Sequence, residues 1–289
     1  MPNFKEYTKK LASLGNTLKM TRTMKMVAAG KLRKAQEAQR QAKQYAHTLG
    51  GVLGRLAAAA GQQVDHPLLH SHGGQGQALL LVYTSDRGLC GGFNNNLLRA
   101  ANAWLAQQSE RYPRLEVSCC GRRGFIHYRR RLTVRRHYEG LTAHPDYRKA
   151  AAVADEVMRD FQAGAFETVY LAYNSFLSPL SQRPVIQQLL PIVPEAVKAG
   201  DGETAPDYLF EPSPRALLDL LIPRTVQYEV YFALLENSAG EHGARMTAMD
   251  SATSNAEKMI DDYTLRRNRA RQAAITKEVI EIVAGAQGQ

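Results

Sequence analysis

The chain has 289 residues, 44% hydrophobic and 22% charged, the composition of an ordinary soluble protein with room for one sizeable core. Its longest unbroken apolar run, Ala78–Tyr83, is too short to span a bilayer, and Cys90, Cys119 and Cys120 have neither the number nor the spacing of a disulfide framework or a zinc site. The formal net charge is +10, and residues 1–58 alone carry eight lysines and four arginines against only Glu6 and Glu37, while the remaining 231 residues carry 25 basic and 25 acidic side chains. All the excess charge therefore sits on one terminal segment, which suits nucleic acid, an anionic membrane, an acidic protein surface or simply a well-solvated rod.

From Lys5 to about Leu56 there is no proline, and apolar residues recur at Leu11, Leu14, Leu18, Met20, Met24, Val27, Leu32 and Ala35. A pattern of this length exceeds an ordinary globular helix and predicts one strand of a coiled coil. The N-terminus lacks the apolar stretch and small-residue cleavage site of a secretory signal, so it reads as mature protein. His66–Gly76 is a Gly/His-rich loop; His66, His70 and His72 invite a metal, but no carboxylate or thiol spacing supports one.

The periodicity then changes. The pattern predicts strands at Ala78–Thr84, Leu115–Gly121 and Glu167–Tyr173, with an edge strand at Pro184–Leu190. Helices are predicted at Asn94–Glu110, Arg122–Arg131 and Asp146–Ala163. Strands alternating with helices argue for a small α/β domain, residues 77–195, around a largely parallel sheet. Gly200–Pro206 reads as linker. Ser213–Pro214 supplies an N-cap and a first-turn proline for a last helix over 213–286, which Pro223 would kink or restart. Arg224–Gln289 is free of proline over 66 residues, with small and apolar residues at Ala244, Ala248, Ala252, Ala256, Met259, Tyr263, Val279, Ile282 and Val283. About 60 helical residues span about 90 Å, whereas a compact globule of this chain would be roughly 50 Å across. The last helix must protrude, and the N-terminal helix, residues 1–58, is its natural antiparallel partner.

Thr84–Asn96 follows the first strand and opens a helix, where α/β folds place phosphate-binding loops. Its glycines are spaced G-x-x-G-G, however, which suits a tight turn or a close contact with something large better than a nucleotide. Cys90 in this loop has no evident histidine partner. Gly121–Tyr138 interleaves seven arginines with aromatics, the strongest case for nucleic-acid binding; the plainer reading is an arginine-rich helix and edge strand on the domain surface. Asp155–Glu156 and Asp261–Asp262 are helical neighbours that diverge, and no triad order or H-E-x-x-H is present, so the chain does not read as an enzyme.

Several segments, in order along nearly the whole chain, resemble one family. They are Asn16–Gln36, Ser85-Asp-Arg-Gly-Leu-Cys-Gly-Gly-Phe-Asn94, Tyr208–Pro212, Leu234-Leu-Glu-Asn-Ser238, Glu241–Met249 and Asn268–Glu278. Together they are similar to the γ subunit of F-type ATP synthases. The resemblance implies an antiparallel coiled coil of the N- and C-terminal helices with an inserted Rossmann-like α/β domain. It implies a non-catalytic rotor shaft with no cofactor and no nucleic-acid partner, turning inside a ring of α and β subunits. The shaft would hold the ε subunit and sit on the c-ring of a membrane complex, at the cytoplasmic face of a bacterial plasma membrane. Carried over residue by residue, contact with β falls on Met24, Lys25, Arg245, Arg271, Gln272 and Thr276, and contact with the c-ring and ε on Tyr208 and Glu211. Gly243 departs from the family pattern, and Gly240 is close by; together they cost about 2 kcal/mol of helix propensity, and either loosen the shaft or let another helix approach. The alternative from a different class is a basic nucleic-acid-binding protein.

Overall fold

A computed structural model describes residues 4–60, 66–71, 76–193, 211 and 213–287. In chain order these form α1 (Phe4–Ala60), β1 (Gln77–Tyr83), α2 (Phe93–Gln108), β2 (Arg114–Cys120), α3 (Arg122–Tyr128), β3 (Val134–Tyr138), α4 (Tyr147–Gln162), β4 (Thr168–Ser178), β5 (Ser181–Leu190) and α5 (Pro214–Gln287). With 57 and 74 residues, α1 and α5 are rods of about 85 and 110 Å at 1.5 Å per residue. Pro223 sits inside α5 without ending it. The lost backbone donor is tolerated where Ile222 and Val226 bury themselves against the sheet on either side. The predicted linker 200–206 and Tyr208 lie outside the described residues.

The two rods pack antiparallel, since partners descend on α5 as they ascend on α1. Tyr7 meets Tyr263, Thr21 meets Thr253, Lys25 meets Asp250, Gln39 meets Glu236 and Tyr45 meets Tyr228. Among the buried and half-buried positions on α1, an unbroken series runs through 14, 18, 21, 25, 28, 32, 35, 39, 42, 46, 49, 53 and 56. These steps of four and three are the heptad seam of a coiled coil. The predicted stripe is largely recovered, with Leu11, Leu14, Leu18, Met24 and Ala35 half-buried and Leu32 buried, and departs at two positions. Met20 and Val27, expected in the seam, are more than half exposed, as Met259 nearly is on the other rod. Thr21, Lys25 and Ala28 take the seam instead, because Thr21 and Thr253 share a hydrogen bond of 2.9 Å and the Lys25 stem lies along α5 to reach Asp250 at 2.5 Å.

The inserted domain is a five-stranded sheet of order β3-β2-β1-β4-β5, parallel except for the antiparallel β4–β5 hairpin. β1 is apolar at successive positions because both of its faces are covered. Leu79, Leu81 and Tyr83 join a cluster with α4, α5 and Leu56 of α1, while Leu80 and Val82 pack against α2 and α3. The predicted strands are recovered with shifted ends, and two extend further than expected: β4 runs on to Ser178 and β5 starts at Ser181. Pro184 is accommodated because β5 pairs only with β4, leaving its other edge unpaired. β3 is the edge strand foreseen within the arginine-rich segment.

The strands run alongside α5. Leu189 and Ile192 line a cavity of about 490 Å³ with Leu218 and Ile222, and Leu190 pairs with Val169 near the start of β4. Further along β4, Phe176 meets Glu236. The starts of the parallel strands thus face the base of the rods, and their ends face the tip.

Candidate functional site

Burial divides α5 into three regimes that follow from what surrounds it. Residues 233–241 are buried on every side, because the domain covers one flank and α1 the other. Residues 249–267 are buried along a single stripe facing α1. Residues 271–284 are exposed throughout, lying beyond the level of Phe4, the first described residue of α1. This bare tip carries Ile275, Val279, Ile280, Ile282 and Val283, each at least half exposed. An unpartnered apolar helix end on an isolated rod is unfavourable in water, so the tip is built to be enclosed.

The residues carried over from the family fall at separate stations. Met24 and Lys25 are half-buried on α1, beside the exposed Met20, Met26 and Val27. The basic side chains Lys19, Arg22, Lys31, Arg33 and Lys34 line the solvent face of the same rod. Arg271, Gln272 and Thr276 lie on the bare tip. Lys25 pairs with Asp250, which places it about 30 Å along the axis from Arg271. Ion pairs such as Lys25–Asp250, with both side chains about half exposed, orient the rods but add little stability. Glu211 is exposed just ahead of α5 at the base.

Arg245 belongs elsewhere. Its guanidinium donates to Glu241 at 2.6 Å and to the Gly88 carbonyl at 3.2 Å, with only 12% of the side chain exposed. Burial raises the Glu241 carboxyl above its ordinary value, against the pull of Arg245. Burial, helped by Arg245 and Lys31, lowers the neighbouring His242 to about 4, so that ring is neutral at pH 7. Five residues earlier, Glu236 accepts from Gln39 on α1, and from Phe176 N at 2.6 Å and Ser175 Oγ at 3.0 Å on β4. The two carboxylates clasp the domain to the coiled coil.

Gly240 and Gly243 make this junction possible. A Cβ on Gly240 would lie 2.9 Å from the Phe93 ring, and one on Gly243 would lie 3.0 Å from Pro179 Cα in the β4–β5 turn. The glycines therefore admit the start of helix α2 at Gly240, as one of the two expectations had it, and the β4–β5 hairpin at Gly243. Thr247 Oγ1 adds a bond to the Pro179 carbonyl at 3.1 Å.

The same contacts settle the chemistry of the Gly-rich loop. In an open parallel sheet a ligand enters beyond the strand ends where the order reverses, here between β1 and β4. α5 occupies that crevice, touching the loop after β1 through Arg245 and the end of β4 through Glu236. Asn94 ties the loop down by accepting from Ser85 N at 2.9 Å and donating to Ser85 Oγ at 2.7 Å. Asp86 accepts from Arg122 N and Thr142 Oγ1, joining the ends of β1 and β2 to the segment after β3. Gly91, at φ 56, makes the turn read from the glycines, and the loop's large neighbour is the chain's own shaft, through Ala248 and Arg245. Burial raises all three thiols, Cys119 to about 12, so none is a thiolate at neutral pH. No metal-binding cluster occurs among the described residues.

In the arginine-rich segment, Arg135 pairs with Glu156 and Asp160, and Arg136 with Glu156 at 3.0 Å. Phe125 stacks on His137 at 4.3 Å. These arginines and rings are spent within the domain, which leaves no aromatic platform for bases. Sequence reasoning missed Glu236. Its signal was a carboxylate in the otherwise apolar or small run Ala233–Gly240, which implies a buried acid with donors waiting for it.

A family model described as ATP synthase matches residues 3–288. The chain is 47% identical over 290 residues to the ATP synthase gamma chain of Anaeromyxobacter sp. (strain Fw109-5) and 45% identical over 287 residues to that of Geobacter metallireducens, covering 99% of both chains in each case. Among solved structures, it is similar to a chain of the Euglena gracilis mitochondrial ATP synthase OSCP/F1/c-ring assembly in rotational state 3, with TM-score 0.67, 18% identity and coverage of 99% of this chain and 94% of that one. A chain of the rotor of the same enzyme in rotational state 1 gives TM-score 0.62 at 19% identity, covering 94% and 98%.

Proposed function

The chain belongs to the ATP synthase gamma-chain family, and from that premise we infer that it is the central rotor shaft coupling ion flow through the membrane sector to chemistry at the catalytic β subunits. The observation that carries this reading is the bare tip of α5. About 20 Å of largely apolar helix, its two basic and two acidic side chains balancing, extends past its partner rod, and a ring of α and β subunits is the sleeve that would enclose it. The starts of the parallel strands and the base of the rods then face the c-ring, with Glu211 and Tyr208 as proposed contacts shared with ε.

The shaft does no chemistry of its own. Its tip and flanks differ in character around the axis, so its angle favours one β conformation over another by differential contact energy. Rotation then changes which β site is open. We assign Met24 and Lys25 to the contact with the acidic lever of β, with the exposed basic face of α1 steering it. Arg271, Gln272 and Thr276 form the second station, at the tip. Arg245, carried over with them, acts through the junction, because its donors are already engaged there. No helix among the described residues is long and apolar enough to cross a membrane, so association with the membrane runs through the c-ring. We place the complex at the cytoplasmic face of a bacterial plasma membrane.

Gln272→Ala tests the tip assignment. Gln272 is exposed, and alanine is the better helix former, so melting of the assembled complex should stay unchanged. ATP-driven ion pumping should fall several-fold, as for loss of an interface contact worth about 1–2 kcal/mol. Unchanged pumping and ATPase would remove Gln272 from the torque-bearing surface.

A further inference from the structure

We propose that Glu236 is the positioning residue that makes the α/β domain and the coiled coil turn as one body. The proposal rests on the rotor reading and deepens it: torque enters at the base and domain and leaves along the rods, so the joint between them carries load.

Glu236 is the residue whose side chain reaches all three bodies at this joint. It is rooted in α5, accepts from Gln39 Nε2 on α1, and accepts on its other oxygen from Ser175 Oγ and Phe176 N on β4. It is 5% exposed, in the stretch of α5 buried on every side. A carboxylate has acceptor positions on two oxygens pointing apart, so one group can face two elements at once. The apolar packing around it, such as Val230 and Ala233 against the sheet, resists separation but resists sliding far less, because dispersion has no direction. The second tie, Glu241–Arg245–Gly88 O, joins α5 to the loop after β1 and does not include α1. Glu236 therefore ties α1 to the domain with directional bonds, beside the apolar packing of Val52, Leu53 and Leu56 against the domain.

The test uses the assembled α, β and γ complex, held by β, with a probe fixed to the α/β domain. Torsional stiffness is read from angular fluctuation of the probe during ATP-waiting pauses. Glu236→Leu fills the same volume and removes every tie. Stiffness of the joint should fall clearly but by less than about half, because Arg245–Gly88, Thr247–Pro179, Gln187–Glu229 and the bonds of Gln227 to Tyr147 and Asp155 remain, while ATPase per complex stays near wild type. Glu236→Gln should be close to wild type, because its oxygen can face β4 while its amide meets a flipped Gln39. Ala233→Gly, which weakens the helix without touching the ties, should leave stiffness unchanged. Wild-type stiffness in the Leu variant, or equal softening by Ala233→Gly, would overturn the assignment. Failure of the wild-type probe to rotate under ATP would instead overturn the rotor reading on which it stands.

Discussion

Gly121→Ala should leave the chain unable to build its central domain. Gly121 has φ 106 and ψ 144, a region essentially closed to residues with a side chain. An added Cβ would lie 2.1 Å from the Thr84 carbonyl oxygen and 2.8 Å from its carbon. Both obstacles are backbone, and they cannot retreat, because Thr84 N donates to Cys120 O at 2.8 Å and the Thr84 hydroxyl accepts from Gly124 N at 2.8 Å. Relief requires prising β1 from β2 at the centre of the sheet. Strain of about 1–3 kcal/mol from the dihedral alone, added to the clash, puts the total above about 5 kcal/mol, comparable to the whole stability of many domains. The variant should fail to co-purify with α and β and should show no cooperative melt for the domain. A soluble variant melting within a few degrees of wild type would contradict this.

Arg245→Met is the second severe lesion. Removing the guanidinium leaves Glu241, 7% exposed, as a buried carboxylate without its partner, and also releases the Gly88 carbonyl. Breaking a buried pair from one side costs about 3–5 kcal/mol, most of it the desolvated charge left behind. The double variant Arg245→Met, Glu241→Leu removes that orphan and should recover most of the loss, a coupling that a denaturation cycle measures directly. If the double variant is as unstable as the sum of the singles, the two groups do not act as a pair.

The long rods were legible because their cause is local: the absence of proline over dozens of residues and an unbroken helical pattern. Their register was legible at Leu11, Leu14, Leu18, Leu32 and Ala35 but not at Thr21, Lys25 and Ala28. A hydrophobicity pattern picks Met20 and Val27, but a seam built of Thr21, Lys25 and Ala28 has almost no hydrophobic signal, and the methionines are left outside for another surface. The sheet was legible from Ala78–Tyr83 and the alternating helices. The lengths of β4 and β5 were not, because polar Gln182 and Arg183 continue a strand held by its hairpin partner. At the candidate site, the loop glycines were read as a tight turn or a close contact, and the turn is what Gly91 at φ 56 makes, while the neighbour the loop meets, α5 some 150 positions later, is beyond any local pattern. Glu236 was hidden for the same reason: its donors come from Gln39, Ser175 and Phe176. Contacts with subunits outside the chain leave their trace only as exposed apolar and basic residues at the tip and on α1, so the resemblance carried those assignments.

The most direct measurement attaches a probe to the α/β domain, tags the β subunit to a surface, and follows the purified complex of this chain with α and β under ATP. The account predicts one copy of this chain among several of α and β, and unidirectional rotation of the domain that stops when ATP is withdrawn. A chain that remains monodisperse on its own, or that joins the ring without turning, would contradict it.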